Sequence, residues 1–163
     1  MMKVVTNSTP LIELSKINRL DLLREVYGAI LIPDEVYIEV VVDGTGKPGA
    51  AEVKAAEWIH CQSVADKDQI SILQSQHSLH LGECATIVLA EEVNAGQVIL
   101  DDNAARREAV ARGLPVIGTV GVLLIAKTQN IIPAVRPILD NLRAQGTRIS
   151  QDLYYQVIAK AGE

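Results

Sequence analysis

Gln97-Val98-Ile99-Leu100-Asp101-Asp102-Asn103-Ala104-Ala105-Arg106 is the stretch whose reading decides the fold. Its apolar run is too short for a helix and ends abruptly on two carboxylates. A short apolar run closed by capping residues reads as a strand buried on both faces. From Asn103 to Arg112 the pattern becomes helical, and Gly113 stops it. The unit is therefore strand, acidic turn, helix.

The same unit recurs outward in both directions. Towards the N-terminus, Val4-Val5 reads as a strand stopped by Asn7-Ser8-Thr9-Pro10. Thr9 can cap a helix and Pro10 suits its first turn, with Leu11, Leu14 and Ile17 following at helical spacing. A short helix over 20–27 ends at Gly28, and 29–32 is a second strand closed by Pro33. Residues 34–42 and 50–58 read as helices, 59–64 as extended, 66–79 as mostly helical, and 82–93 as a strong helix. Towards the C-terminus, 115–117 is a strand, Thr119 opens an apolar helix over 120–128, and helices over 133–145 and 151–161 finish the chain. Strands separated by helices imply right-handed crossovers, hence an α/β fold with a mostly parallel sheet covered on both faces. The 163 residues suit one domain, with a core over about 1–130 and terminal helices over about 131–163.

Composition narrows the class. Hydrophobic residues make up 48 % of the chain, which excludes a disordered polymer, while aromatics are 3 % and Phe is absent. The core must be built from Ile, Leu, Val and Ala. Two cysteines, Cys61 and Cys84, cannot form a disulfide scaffold. No signal-peptide-like stretch and no membrane-spanning run is visible, so a soluble cytoplasmic protein is expected. The net charge of −5 is unevenly spread. Residues 1–100 hold 7 basic and 14 acidic side chains, whereas 101–163 hold 8 basic and 6 acidic, so any basic surface comes from the C-terminal third.

In an open parallel sheet, ligands bind beyond the carboxyl ends of the strands. Asn7 follows the first strand, and Asp101 and Asp102 follow the strand at 97–100. Two further carboxylates stand beside apolar helix faces: Glu39 next to Val36 and Val40, and Glu83 one turn before Ile87. Each alone has an ordinary explanation, a helix cap for Asp102 and a rim position for Glu39 or Glu83. Converging, two carboxylates about 4 Å apart repel by about 4 kcal/mol at an effective dielectric of 20. Such a group needs a cation or raised pKa values. Oxygen ligands favour Mg²⁺ or Mn²⁺ over zinc, and phosphodiester hydrolysis is the matching chemistry.

Four motifs carry a family resemblance. Val4-Val5-Thr6-Asn7-Ser8-Thr9-Pro10-Leu11-Ile12 resembles the opening strand and turn of PIN-like domains, in particular a bacterial branch of unassigned function. Ile32-Pro33-Asp34-Glu35-Val36-Tyr37-Ile38-Glu39 is similar to its second motif. Leu81-Gly82-Glu83-Cys84-Ala85-Thr86-Ile87 and Leu100-Asp101-Asp102-Asn103-Ala104-Ala105-Arg106 look like its third and fourth, and Val116–Leu123 resembles the strand-to-helix turn that follows. The resemblance implies a three-layer αβα fold and a Mg²⁺- or Mn²⁺-dependent ribonuclease related to VapC-type toxins. It also implies a homodimer and an antitoxin partner. Carried over, the acidic positions are Glu39, Glu83 and Asp102 or its neighbour Asp101. The family pattern has Asp at the first acidic position, where this chain has Asn7. An amide oxygen still coordinates a hard cation but brings no charge. The alternative function is therefore a weak or inactive module that binds RNA or an antitoxin.

Other signals carry less. Arg106, Arg107 and Arg112 share a helix with a surface to offer RNA phosphates, and Thr119 stands where it could touch one. The Gly118–Gly121 turn would suit an anion, but close helix–strand packing explains the same glycines. Gly44-Thr45-Gly46-Lys47-Pro48 fails the phosphate-loop pattern at Pro48. His77, His80 and Cys84 have helical spacing but lack a fourth zinc ligand.

Overall fold

The structure is a computed structural model that describes residues 2–163. Five parallel strands, β1 (Val4–Thr6), β2 (Ile30–Pro33), β3 (Ile59–Gln62), β4 (Gln97–Ile99) and β5 (Val116–Ile117), form one sheet in the order β3-β2-β1-β4-β5. The register pairs Val5 with both Leu31 and Val98, and Ile99 with Ile117.

Alternation along the strands sorts the core into two layers. Val4, Ile30, Ile32 and Ile99 face one helix layer. It contains α1 (Ser8–Lys16), α2 (Asp21–Tyr27), α8 (Thr119–Thr128), α9 (Arg136–Ala144) and α10 (Gln151–Lys160). Val5, Leu31 and Val98, with Leu100 just beyond β4, face the other layer of α5 (Lys67–Gln76), α6 (Leu81–Glu92) and α7 (Asn103–Ala111). This is the expected three-layer αβα architecture. Each fully buried Leu or Ile contributes about 1.5–3 kcal/mol, which is how strands of two to four residues can hold a sheet.

Helix α6 is buried from Gly82 to Ala90 on every side, as an all-round apolar helix must be. That burial carries Glu83 inside with its neighbours.

Several boundaries differ from the sequence reading. The first helix starts at Ser8, with Asn7 rather than Thr9 at its cap position. Asn7 is still extended, and its N–H donates to the Ile99 carbonyl at 3.2 Å, so the sheet runs directly into the helix. The helix expected over 50–58 is α4 (Ala50–Ala55) and stops early, because the Trp58 carbonyl already accepts from Ile30 N–H. The helix expected from 133 begins at Arg136. Between 34 and 42 the chain forms α3 (Asp34–Tyr37) followed by a π turn, Ile38–Val42, in which Asp43 N–H donates to the Ile38 carbonyl. The wider turn lets the adjacent Val40 and Val41 both be buried.

Strands β1, β2 and β3 run outward in one direction, and the chain then crosses back to place β4 on the other side of β1. The topological switch point therefore lies between the carboxyl ends of β1 and β4, which are Asn7 and the Asp101-Asp102 pair.

Candidate active site

Asn7 leaves β1 at the switch point and is 5 % exposed. Ser8, also buried, opens α1, and its Oγ donates to Glu39 Oε2 at 2.7 Å. Glu39 sits on the π turn after β2. The sequence reading set it against an apolar face. In the structure it is exposed at the rim, with one carboxylate oxygen drawn inward by Ser8.

Gly82, the second residue of α6, fits into the corner these groups make. A Cβ there would stand 3.1 Å from Glu39 Oε2 and 3.4 Å from Asn7 Oδ1. The absent side chain is what lets an amide oxygen and a carboxylate oxygen approach the helix start together.

Glu83 follows directly and is 5 % exposed. Its Oε1 accepts from His80 N–H at 2.9 Å, closing the first turn of α6. Burial pushes its carboxyl above the usual range. The His80 N–H opposes this, and Asp102, through its charge and a shared hydrogen bond, adds to it. Asp102 caps α7, its Oδ2 accepting from Ala105 N–H at 2.9 Å.

Adjacent residues after a strand point to opposite sides, and Asp101 is turned towards β5. Its Oδ1 accepts from Thr119 N–H at 2.8 Å and its Oδ2 from the Thr119 hydroxyl at 2.6 Å. Both oxygens are thereby engaged in clamping the start of α8. Thr119, read from sequence as a phosphate contact, is buried and serves this clamp.

The structure thus brings four of the five singled-out residues into two neighbouring pairs, Asn7 with Glu39 around Gly82, and Glu83 with Asp102. Among the described residues, no three His, Cys, Asp or Glu side chains form a ready metal-holding group. The donors are nevertheless all oxygen, three of them carboxylates: Asn7 and Glu39 face the corner that a Cβ on Gly82 would fill, and Glu83 and Asp102 form the neighbouring pair. That donor set fits a hard divalent cation and does not fit zinc.

Ser8 and Gly82 were missed in the sequence. Neither carries a signal of its own, because each acts through a residue distant in the chain. Of the arginines, Arg106 donates from Nη1 to the Leu100 carbonyl at 2.9 Å, Arg107 is exposed, and Arg112 is engaged by Glu108 and Glu91. His77 lies beyond the end of α5 and pairs with Glu108, while Cys84 is buried, its thiol pushed up to about 11 by desolvation, so these two groups belong to separate environments.

A family model described as a PIN domain matches residues 3–163. No curated protein matches the chain. Among the described residues, no helix is long and apolar enough to cross a membrane.

Proposed function

Because the chain belongs to the PIN-domain family, a nuclease-type fold, we propose that it is a Mg²⁺- or Mn²⁺-dependent ribonuclease that hydrolyses RNA phosphodiester bonds. The reading is supported by two adjacent pairs of oxygen-bearing side chains at the switch point of the sheet: Asn7 and Glu39, whose oxygens face the side-chain-free corner at Gly82, and Glu83 with Asp102 beside it. Asn7 Oδ1, Glu39, Glu83 and Asp102 would hold the cation. When bound, it supplies neutralisation of charge on the phosphate and acidification of water.

The residues of the chain do the rest. Ser8 fixes the Glu39 carboxylate towards the corner. His80 N–H fixes Glu83 through Oε1, and burial raises its carboxyl above the usual range. Asp102 is oriented by its own helix cap. Asp101 is a positioning residue, since its clamp on Thr119 sets the β4 end against the start of α8.

The same reading makes the chain a relative of VapC-type toxins, cytoplasmic, homodimeric and paired with an antitoxin protein. A second reading is favoured by one observation: Asn7 is a neutral amide at the position where the family pattern has a carboxylate. On that reading the domain is a weak or inactive module binding RNA or an antitoxin.

The test is cleavage of single-stranded RNA with Mg²⁺ or Mn²⁺. Glu83→Gln combined with Asp102→Asn should abolish metal-dependent cutting; cutting as fast as the parent would show the site assignment to be wrong. Titration with Mn²⁺ separates the two readings. Binding gained only by Asn7→Asp, with none in the parent, favours the inactive module.

A further inference from the structure

Three cavities meet at Asp101, at the carboxyl end of β4. One of about 330 Å³ lies between the first turns of α1 and α8 and the α9–α10 loop, and one of about 360 Å³ between α7, the β5–α8 turn and α10. The third, about 620 Å³, opens over the α9–α10 loop. Asp101 and Leu153 border all three, so together they are one branched groove. Its head lies at the carboxyl end of β4, one residue from Asp102.

The groove presents positive charge. Arg106 and Lys160 border one branch, and Arg143 and Arg148 the widest. Among the described residues, Arg143, Arg148 and Lys160 form no ion pair, and all three are exposed. Two carboxylates also stand on the walls, each oriented by hydrogen bonds. Asp101 is held by Thr119, and Glu13 by Lys16 and the Thr147 hydroxyl. With Asp101 and Glu13 counted against Arg106, Arg143, Arg148 and Lys160, the lining is still net positive, opposite in sign to the chain as a whole, whose net charge is −5.

We propose that this groove carries a single-stranded RNA backbone away from the acidic site, with phosphates on Arg143, Arg148 and Lys160. The proposal rests on the ribonuclease reading above. The branches have the volume of small-ligand pockets, which suits one nucleotide at a time and not a duplex. Asn103, Thr147 and Ser150, set between the cations, offer hydrogen bonds to phosphate and ribose. An acidic helix would need a continuous apolar stripe beside the cations. In the widest branch, which holds Arg143 and Arg148, the exposed large apolar side chain is Leu153 alone among the described residues, at 40 % exposure, while the half-buried Val116, Ile117, Val120 and Leu124 line the branches beside it. With no aromatic platform, binding would be set by phosphates and would tolerate sequence.

The experiment measures anisotropy of a short labelled single-stranded RNA in EDTA, so that nothing is cut, over a range of salt. The parent is compared with Arg143→Gln/Arg148→Gln/Lys160→Gln and with a control of equal charge change, Lys3→Gln/Lys47→Gln/Lys54→Gln, which lies away from the groove. The groove variant should bind about 10-fold or more weaker, with a salt slope smaller by about 0.7 for each phosphate left without its cation. The control should match the parent. Equal loss in both variants, or no loss in the groove variant, overturns the path while leaving the ribonuclease reading intact. Competition by polyglutamate as strong as by RNA of equal charge also overturns it. A parent that binds no RNA overturns the path, and cleavage with Mn²⁺ then tests the ribonuclease reading separately. Arg143 lies over the Tyr154 ring at 4.7 Å. Should the triple variant misfold by circular dichroism, Arg148→Gln/Lys160→Gln makes the same comparison with an expected loss of about two thirds of the slope change.

Discussion

Ser8 donates its hydroxyl to Glu39 Oε2 at 2.7 Å, joining the first turn after β1 to the π turn after β2. Glu39 is otherwise exposed, so this single bond decides which way its carboxylate faces. A group that orients a metal ligand typically carries about 10–100-fold in affinity or activity. Ser8→Ala should weaken Mn²⁺ binding in calorimetry by about that factor. The melting temperature should hardly move, because Glu39 can turn to water when released. Unchanged Mn²⁺ affinity would remove Glu39 from the site.

Glu83 sits under opposite demands. Its folded carboxyl is raised above the ordinary value, by burial first and by Asp102 in addition. A raised carboxyl is bound more tightly to its proton in the folded state. Its stabilising effect is therefore complete below the unfolded pKa and is lost as pH rises through the folded one. At neutral pH the ionised Glu83 works against folding. Glu83→Gln keeps an acceptor for His80 N–H and removes the charge. It should melt higher than the parent at pH 7, with the difference shrinking towards pH 4, and should lose metal-dependent cleavage. A lower melting temperature at pH 7 would show that the charge is already balanced within the protein.

The layers were legible because strand alternation is local. Val4 against Val5, and Val98 against Ile99, sort into the two faces by parity alone. The carboxylates after the strands were legible for the same reason. What the sequence could not separate was Asp101 from Asp102, because that choice depends on where the β5–α8 turn delivers Thr119. It also could not place Glu39 at the rim. A π turn depends on a bond from residue 43 to residue 38, which leaves no mark on helical periodicity. Ser8 and Gly82 read as turn and helix-start residues until tertiary contact gives them neighbours.

The C-terminal helices are fastened by one acidic side chain. Glu163 Oε2 accepts from Val135 N–H at 2.6 Å and Lys127 Nζ at 2.9 Å, and Oε1 from Arg136 N–H at 3.1 Å. The Val135 N–H leads in pulling its carboxyl down to about 2, with Lys127 and Arg136 adding to it against the cost of burial. A depressed carboxyl stabilises fully above the unfolded pKa, and the contribution is lost as pH falls from about 4.5 towards 2. Glu163→Gln should therefore melt lower than the parent at pH 7. The two curves should converge near pH 2. A gap that persists at pH 2 would mean the side chain acts through packing alone.

Gly82 separates stability from function most cleanly. It lies in the first turn of α6 without a left-handed backbone, so alanine there is unstrained. In a helix, alanine is favoured over glycine by about 0.8–1.0 kcal/mol. The new Cβ would meet Glu39 Oε2 at 3.1 Å and Asn7 Oδ1 at 3.4 Å. Glu39 is exposed, and its carboxylate is the end of a flexible chain, so it yields and the backbone does not. Gly82→Ala should then fold as well as the parent or better, with a melting temperature unchanged or a few degrees higher. Its Mn²⁺ affinity and its RNA cleavage should both fall, because the corner shared by Asn7 and Glu39 is filled. A variant that is equally stable and binds Mn²⁺ as tightly as the parent would show that the cation does not sit between those two oxygens.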